Sequence, residues 1–452
     1  SNWFNFDKEN VLQVYSGKID IGQHISSTLA LIASKITNIK YSQVEIVRLN
    51  TNISPDEGKT ASSLSTPDSG TAIKSASIIL RKSFINYALR ELKINLDEMI
   101  FENGIIKDIK SNKSISYWDF AKTDNFKSLI IPIEIEDKDI KSLNYSNKQK
   151  VELKTIKDIV TGRYKYVHDL YFPNMLHARI IRPPNYFSKF KRIDDDFQKI
   201  LDTNNIKLVS KGSFLALVAS DEFLVVKYLE LIKKKIHWEY IKDLQNKNIH
   251  YALQNNEKDT LLVKSGGEAY YEKIPNIKSF DNSNITSLSS KFRKSYLMHG
   301  PIGPSAACAI NNGNKYFIYS HSQAIYDLKF SISKYFDISP DNVTLEFAPG
   351  SGCYGHNGAD DVAFEAAVLS KDFPNQHILL KWTREDEHRW EPYGSASLNK
   401  IEGAINEEGK IVYWSNEVFS DTYLTRPSDA ELDNFISYNL IKNNFEKKKS
   451  KP

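Results

Sequence analysis

The sequence predicts a mixed α+β chain in which short strands and amphipathic helices alternate within three successive units. Three observations predict it. Residues 12–92 follow the order strand, helix, strand, loop and long helix, which is typical of an α/β layer. Within them, apolar residues recur at helical spacing in 25–36. Near the other end, two strand-like runs are joined by Asn406-Glu407-Glu408-Gly409, a good hairpin turn.

The first unit is predicted to cover residues 1–111, and 112–150 are predicted to be a weakly patterned connection. Strands are expected at 12–16 and 44–49, and helices at 25–36 and 71–92. Between the second strand and the second helix, residues 52–70 are dense in Ser, Thr, Pro, Gly and Asp, which predicts a loop.

A second unit is predicted over 151–242, a polar, Asn-rich linker over 243–290, and a third unit over 291–427. The second unit has predicted strands at 175–181, 214–218 and 236–240 and a predicted helix at 222–235. The third has predicted strands at 315–320, 343–347, 378–383, 398–405 and 411–419, and predicted helices at 324–336 and 362–372. Residues 428–452 predict a polar tail, because the apolar pattern fades there.

Bulk composition narrows the functional classes. The chain has 452 residues, a formal net charge of +4 and 41% hydrophobic residues, and no basic tract that suggests nucleic acid as a partner. Two cysteines exclude a disulfide framework and a cysteine-ligated zinc or iron–sulfur site within this chain. No apolar run approaches the roughly 20 residues that span a bilayer. We therefore expect a soluble chain, and both a cytoplasmic and a periplasmic location stay open.

The most informative stretch is 350–361, with four glycines in nine residues between a predicted strand and a predicted helix. It matches the dinucleotide pattern G-x-G-x-x-G literally. A dinucleotide site of this type requires an acidic residue about 20 residues after the glycines. In this chain the acidic residues that follow the next predicted strand lie about 30 residues after the glycines. Asp360 and Asp361 would also repel a pyrophosphate. An NAD-binding dehydrogenase is thus the weaker hypothesis, and a simple tight turn is another.

Two further interpretations concern the end of the same stretch. Asp360 and Asp361 are predicted to cap the following helix and to favour its positive end. His356 with Asp360 suggests a divalent-metal pair, although two ligands without a third are a weak pattern.

Several blocks, in order and with sensible spacing, resemble the molybdopterin-binding large subunit of the xanthine dehydrogenase family, in the branch of nicotinate dehydrogenase and isoquinoline 1-oxidoreductase. The blocks are residues 16–23, residues 60–65, residues 161–184, and the set 321–323, 350–361 and 382–387. The Gly-Gln block at 22–23 precedes the second unit, an order that resembles this branch rather than the xanthine dehydrogenases themselves.

The resemblance implies a molybdenum hydroxylase large-subunit architecture, with an α/β-hammerhead domain at 151–242 between the cofactor-binding segments 1–111 and 291–427. It implies a molybdopterin cytosine dinucleotide carrying molybdenum, and hydroxylation of an N-heteroaromatic or aldehyde substrate with oxygen from water. It also implies electron transfer to iron–sulfur clusters on a small 2Fe-2S subunit, with a cytochrome as one candidate acceptor.

The resemblance also implies a set of cofactor-binding residues and no direct protein ligand to the metal. Gly22 and Gln23 would meet the pterin or its phosphate. Ser62, Ser63 and Ser65 would bind the same tail, and Gln323 would donate its amide to a molybdenum oxo ligand. Gly352, Cys353, Tyr354 and Gly355 would line the metal centre.

The catalytic Glu of the family has no counterpart here. Gly266-Gly267-Glu268 is superficially similar to its motif but falls in the predicted linker. We therefore expect a truncated chain or a split subunit, whose C-terminal continuation or companion carries the rest of the molybdopterin domain, and expect 1–452 alone to be inactive. A non-catalytic scaffold subunit is the alternative.

Overall fold

The helices and strands confirm the α+β class. The computed structural model describes residues 3–128, 151–240, 248–255, 262–263, 269–270, 284–421, 426–428 and 431–443. The strands are β1 (Phe4–Asn5), β2 (Leu12–Val14), β3 (Val44–Ile46), β4 (Met99–Glu102), β5 (Ile105–Asp108), β6 (Ser114–Ser116), β7 (Leu176–Ile181), β8 (Ser188–Ile193), β9 (Lys207–Lys211), β10 (Phe214–Ala219), β11 (Ile236–Tyr240), β12 (Leu262–Val263), β13 (Ala269–Tyr270), β14 (Ile285–Lys294), β15 (Ala306–Asn312), β16 (Lys315–Ser320), β17 (Val343–Phe347), β18 (Ile378–Lys381), β19 (Ser397–Asn406) and β20 (Ile411–Ser420). The α-helices are α1 (Ile25–Thr37), α2 (Thr71–Leu92), α3 (Tyr117–Ala121), α4 (Asp124–Lys127), α5 (Ile156–Val160), α6 (Asp195–Thr203), α7 (Glu222–Ile232), α8 (Ile249–Asn255), α9 (Ile325–Phe336), α10 (Ala359–Ser370), α11 (Arg384–Trp390) and α12 (Ile436–Lys442).

The first unit packs α1 and α2 together beside the sheet β1-β2-β3. In α1 the apolar spacing places Ile25, Leu29 and Ile36 in the interior, as the sequence predicts. The predicted helix 71–92 is confirmed with the same bounds. No described helix combines the length and the apolar character that crossing a bilayer requires.

Residues 112–128, predicted to belong to a connection, are instead part of the first unit's core. Here β6, α3 and α4 bury Tyr117 and Phe120, and the Tyr117 ring stacks on Phe84 with centroids 4.0 Å apart. A capping box between Ser116 and Asp119 starts α3. These elements are too short to show a periodic pattern, so the sequence missed them.

A seven-stranded sheet, in the order β17-β16-β15-β18-β7-β10-β9, joins the second and third predicted units. The junction is the parallel pairing of β18 with β7. Three strands from the predicted hammerhead region 151–242 therefore lie in the same sheet as four strands of 291–427. Helix α10 packs on this sheet and is buried along its whole length. The hammerhead assignment itself stays a prediction.

A separate sheet, β14-β19-β20, is formed by two antiparallel pairings of ten-residue strands. The predicted turn between β19 and β20 is confirmed, with Gly409 at φ +77°. Strand β14 begins at Ile285, inside the predicted linker 243–290, so the third unit starts earlier than predicted.

Residues 431–443, predicted to be polar tail, form α12 and the turn before it, which pack on the main core. Phe435 and Leu440 are buried, and the Leu440 carbonyl accepts a hydrogen bond from Ser213 N at 2.9 Å. The predicted tail 428–452 as a whole is rich in Asn and Lys, which hides the short apolar stripe within 431–443 and explains the wrong prediction.

Candidate functional site

The glycine-rich loop 350–361 connects β17 to α10, and its glycines are required by close packing. A Cβ atom at Gly350 would lie 2.7 Å from His321, one at Gly355 would lie 2.4 Å from His299, and one at Gly358 would lie 2.2 Å from Trp382. Gly352 and Gly355 also have φ of +108° and +137°, which favour glycine. These glycines therefore let aromatic side chains of the protein itself pack against the loop.

The topology around this loop does not match a dinucleotide fold. Strands β17 and β18 flank α10 in sequence, yet β16 and β15 lie between them in the sheet. A nucleotide-binding βαβ unit places its two parallel strands next to each other at the site. The literal glycine match therefore does not indicate an NAD site.

The predicted capping role of Asp360 and Asp361 is wrong. Gly358 precedes α10, and no side chain caps the helix end. Asp361 accepts a hydrogen bond from Ile436 N at 3.0 Å, and Asp360 accepts one from Ser322 Oγ. Both carboxylates therefore hold other segments against α10.

Asp360 is the centre of a buried polar cluster. His356 Nε2 lies 3.1 Å from its Oδ2, and Arg426 Nη1 lies 3.6 Å from the same oxygen. Burial alone raises the pKa of Asp360, but the His356 hydrogen bond and the Arg426 charge outweigh it and bring the pKa to about 2. Burial also lowers the pKa of His356. His356 and Asp360 thus bind each other, and no group of three or more metal-ligating side chains occurs among the described residues.

Hydrogen bonds join the Gly-Gln block to the segment that precedes the serine loop. Glu57 accepts from Ser16 Oγ at 2.8 Å and from Gly17 N at 2.6 Å. Thr60 Oγ1 accepts from Ile19 N at 3.1 Å. A Cβ on Gly17 would lie 2.4 Å from the Pro55 carbonyl oxygen, so only glycine fits there. The two predicted blocks therefore form one structural unit.

The serine loop carries an unusual backbone. Ser62 and Ser63 are consecutive residues with φ of +56° and +58°. A non-glycine residue in this region costs about 1 kcal/mol or more, and such residues cluster at binding sites. Ser65 then precedes the turn Thr66–Gly70, which leads directly into α2. The loop therefore lies at the N-terminal end of the longest described helix.

A cavity of about 410 Å³ brings the serine loop, the Gly-Gln block and the glycine loop together. It is lined by Ile21, Gln23, Ile25, Thr28, Thr60, Ala61, Ser62, Ser63, Ser65, Thr66, Gln323 and Gly355. Six of the ten predicted site residues are in that lining. The other four are Gly22, Gly352, Cys353 and Tyr354. The Tyr354 ring is exposed and covers Gly352 rather than the cavity.

Gln323 connects the walls of this cavity. Its Nε2 donates to the Thr60 carbonyl at 2.7 Å, and its Oε1 accepts from Arg426 Nη2 at 2.5 Å. The Cys353 Sγ lies 3.0 Å from the same Oε1. Burial raises the pKa of Cys353, which keeps the thiol protonated and disfavours a thiolate ligand. One N–H of the Gln323 amide is used by Thr60, so the other can donate to a ligand.

Arg426 was missed as a site residue by sequence reasoning. It is 103 residues from Gln323 in the chain, and it lies in a segment without a periodic apolar pattern. Its place at the end of the resembling region is the one signal that could have found it. In the structure it binds both Gln323 and the Gly355 carbonyl, the latter at 3.2 Å.

The electrostatics of the cavity suit an anion. No charged side chain is among the residues that line it. Two helical segments begin there, because Ile25 is the first residue of α1 and Thr66 is the first residue of the helical turn that leads into α2. Gln323 lies two residues before the start of α9. Helix N-termini present free N–H groups and a partial positive charge, which stabilise anionic oxygens. Arg426 lies nearby, and its positive charge is paired with the Asp360 carboxylate, 3.6 Å away.

A buried carboxylate on α11 predicts a pH-dependent stability. Burial, assisted by nearby Glu391, raises the pKa of Glu387 to about 7. The folded state therefore holds a proton that the unfolded state releases at its ordinary pKa of 4.5. This contribution to the free energy of unfolding is fully present below pH 4.5 and is lost as the pH rises through 7. The total loss is about 3 kcal/mol. We expect Glu387→Gln to flatten the decline in unfolding free energy between about pH 5 and 8, measured by urea denaturation.

The exposed Glu385→Gln is the matched control for this measurement, and it should keep the slope of the wild type. An unchanged slope in Glu387→Gln would show that this carboxyl does not titrate as stated.

Two domain models and several known proteins match this chain. A family model for a molybdopterin cofactor-binding domain matches residues 2–159, and a second model of the same description matches 266–435. One subunit of the nicotinate dehydrogenase of Pseudomonas putida is 25% identical over 419 residues, covering 89% of this chain and 34% of that protein. A membrane-bound aldehyde dehydrogenase (pyrroloquinoline-quinone) of Gluconacetobacter polyoxogenes is 20% identical over 451 residues, covering 95% of this chain and 57% of that protein.

Among solved structures, aldehyde oxidoreductase from Desulfovibrio gigas matches with 16% identity and a TM-score of 0.43, over 59% of this chain and 33% of that one. Quinoline 2-oxidoreductase from Pseudomonas putida 86 matches with 12% identity and a TM-score of 0.42, over 59% and 38%. The chain thus spans about a third to somewhat over half of the relatives it matches. By the two domain models and the nicotinate dehydrogenase relative, the chain is a molybdopterin-binding subunit of the xanthine dehydrogenase family, as the resemblance of its sequence implies.

Proposed function

We propose that the cavity between the serine loop and Gln323 binds the anionic tail of a molybdopterin dinucleotide. The observation that carries this proposal is a cavity that is lined by hydroxyl and amide donors, has no charged side chain in its lining and contains the first residues of two helical segments. Phosphate oxygens need such donors and no competing carboxylate. A cavity of about 410 Å³ suits part of such a cofactor rather than all of it.

The chain's own residues would hold and orient this group. Ser62 and Ser63 line the cavity, and Gln323 offers its free N–H from a fixed position. Arg426 fixes the Gln323 carbonyl oxygen, which keeps the amide nitrogen directed away from it. When bound, the molybdenum cofactor supplies the redox chemistry by which the family oxidises its substrates.

With the remainder of the family subunit, we propose that this protein serves the hydroxylation of an N-heteroaromatic or aldehyde substrate. The names of the two relatives, a nicotinate dehydrogenase and an aldehyde dehydrogenase, support these two substrate classes. Electrons would pass to a 2Fe-2S subunit. No carboxylate is among the residues that line the described cavity, so the general base would come from another part of the complex.

Gln323→Glu tests the role of the amide. The carboxylate can still accept from Arg426, but it loses the donor N–H and places a negative charge at the cavity. We expect bound cofactor to fall at least about tenfold, because a hydrogen bond to a charged group is worth roughly 1.5–3 kcal/mol. The measurement is pterin and molybdenum per chain after purification from a host that makes the cofactor.

Gln43→Glu is the matched control, because the Gln43 side chain donates to the Asn10 carbonyl, at 3.1 Å, and is not part of the cavity lining. Equal cofactor contents in the two folded variants would remove Gln323 from the proposed site.

A further inference from the structure

One face of the sheet β14-β19-β20 collects large apolar side chains. In antiparallel pairs, directly opposed residues project from the same face. The pairing aligns Leu288 with Gly403 and Trp414 across the three strands. A Cβ on Gly403 would lie 3.2 Å from the Trp414 ring, which confirms that the two share a face. We call this the open face, with members Thr286, Leu288, Ser290, Phe292, Lys294, Ser397, Asn399, Ile401, Gly403, Ile405, Ile411, Trp414, Asn416, Val418 and Ser420.

The open face is apolar, and no described residue covers it. Six of its large apolar residues are exposed, with fractions from 40% at Ile405 to 76% at Leu288. The six are Leu288, Phe292, Ile405, Ile411, Trp414 and Val418. Its only charged member is Lys294, which lies at the end of β14. A contiguous apolar surface of this kind marks an interaction site.

The opposite face of the same sheet shows the contrast. There Leu398 and Ala404 are buried, and α8 packs against β19 with Leu253 in the interior. We call it the covered face because α8 packs on part of it, although its residues on β14 are exposed. It also carries five charged residues, which are Lys291, Arg293, Lys400, Glu402 and Glu417. The more apolar face is thus the one that no described residue covers.

We propose that the open face docks the part of the family subunit that has no counterpart in this chain. That part is large, because the matched region is only 34% of the nicotinate dehydrogenase relative. The inference rests on the family assignment but not on the chemistry of the cofactor cavity.

The size of the patch argues against a second copy of the chain as the occupant. Three strands of ten residues cover roughly 15 by 34 Å, or about 500 Å², whereas a stable association buries about 800 Å² per partner. A larger polypeptide would also cover Leu297, which is exposed just beyond β14. It would pair with the outer edges of β14 and β20, which pair with no other described strand.

Site-specific photo-crosslinking tests this docking. A photo-reactive phenylalanine is placed at Trp414 or Val418 on the open face, and at Glu402 or Glu417 on the covered face, in the chain as its source cells make it. Crosslinked peptides are then identified by mass spectrometry. We expect the open-face positions to crosslink at least about tenfold more, to sequence that matches the remaining part of the family subunit, in the same polypeptide or a separate one.

Crosslinks to a second copy of this chain, equal yields from the two faces, or no crosslink would each overturn the proposal. Leu288→Asp provides a second measurement, with Ser289→Asp on the covered face as its control. We expect Leu288→Asp, and not the control, to reduce recovery of the docked segment after limited proteolysis by about tenfold. The reason is that docking would bury the unpaired charge of the new aspartate. If the cavity did not bind the cofactor, the crosslinking and proteolysis results would be unchanged. The cofactor proposal and the docking proposal can therefore be contradicted independently.

Discussion

We expect Arg182→Met to lower the free energy of unfolding by about 3–5 kcal/mol, the usual cost of breaking a buried ion pair. Arg182 leaves only 7% of its side chain exposed, and its Nη1 lies 2.7 Å from Glu365 Oε1. Its guanidinium also lies over the Trp382 and Trp390 rings, 4.7 and 5.3 Å from their centroids. Met retains much of the volume but leaves the fully buried Glu365 without its cation.

The position of Arg182 makes the effect global. It lies at the end of β7, and its partner Glu365 is on α10, so the pair holds the second predicted unit against the third. Arg192→Met is the control, because Arg192 is exposed and pairs with Asp194 at 3.2 Å. A surface pair contributes about 0–1 kcal/mol. Similar losses for both variants in urea denaturation would contradict the stated role of Arg182.

Gly355→Val is expected to lower the free energy of unfolding by about 2–5 kcal/mol. Two effects add there. The φ of +137° is unfavourable for a β-branched residue, and the new Cβ would lie 2.4 Å from the His299 ring. Because Gly355 also lines the cavity, we expect bound cofactor to fall as well, measured as pterin per folded chain.

Gly313→Val separates the two effects. Gly313 has φ of +67°, but nothing lies within 4 Å of a Cβ placed there, so this variant suffers backbone strain alone. We expect it to lose about 1–2 kcal/mol and to keep its cofactor. If both glycine variants behaved alike, packing against His299 would not be what position 355 requires.

The sequence predicted those parts of the fold whose pattern is local. The helix 25–37 and the strands of the β19–β20 hairpin follow from periodicity and turn residues, and their bounds agree closely with the prediction. Strand β15 was missed because its residues, Ala-Ala-Cys-Ala-Ile-Asn-Asn, are poor in β-branched and aromatic side chains. It is a strand because it is buried between β16 and β18.

The candidate site was likewise predicted only in part. Glycine and serine clusters are visible in a sequence, and six of the ten predicted residues meet at one cavity. What the sequence could not predict is their connection, because Gln323 and Arg426 are brought together only by the tertiary fold. The glycine loop is the clearest case. It resembled a dinucleotide fingerprint, whereas in the structure its glycines accommodate His321, His299 and Trp382.

The central claim is that this chain binds a molybdopterin cofactor at the cavity beside Gln323. It is tested most directly by metal and nucleotide analysis of the protein purified, with whatever family subunit it assembles with, from its source cells grown on molybdate. We predict close to one molybdenum atom per complex, and cytidine monophosphate on acid hydrolysis. A folded complex that contains neither molybdenum nor pterin, from cells whose other molybdenum enzymes are loaded, would contradict the account.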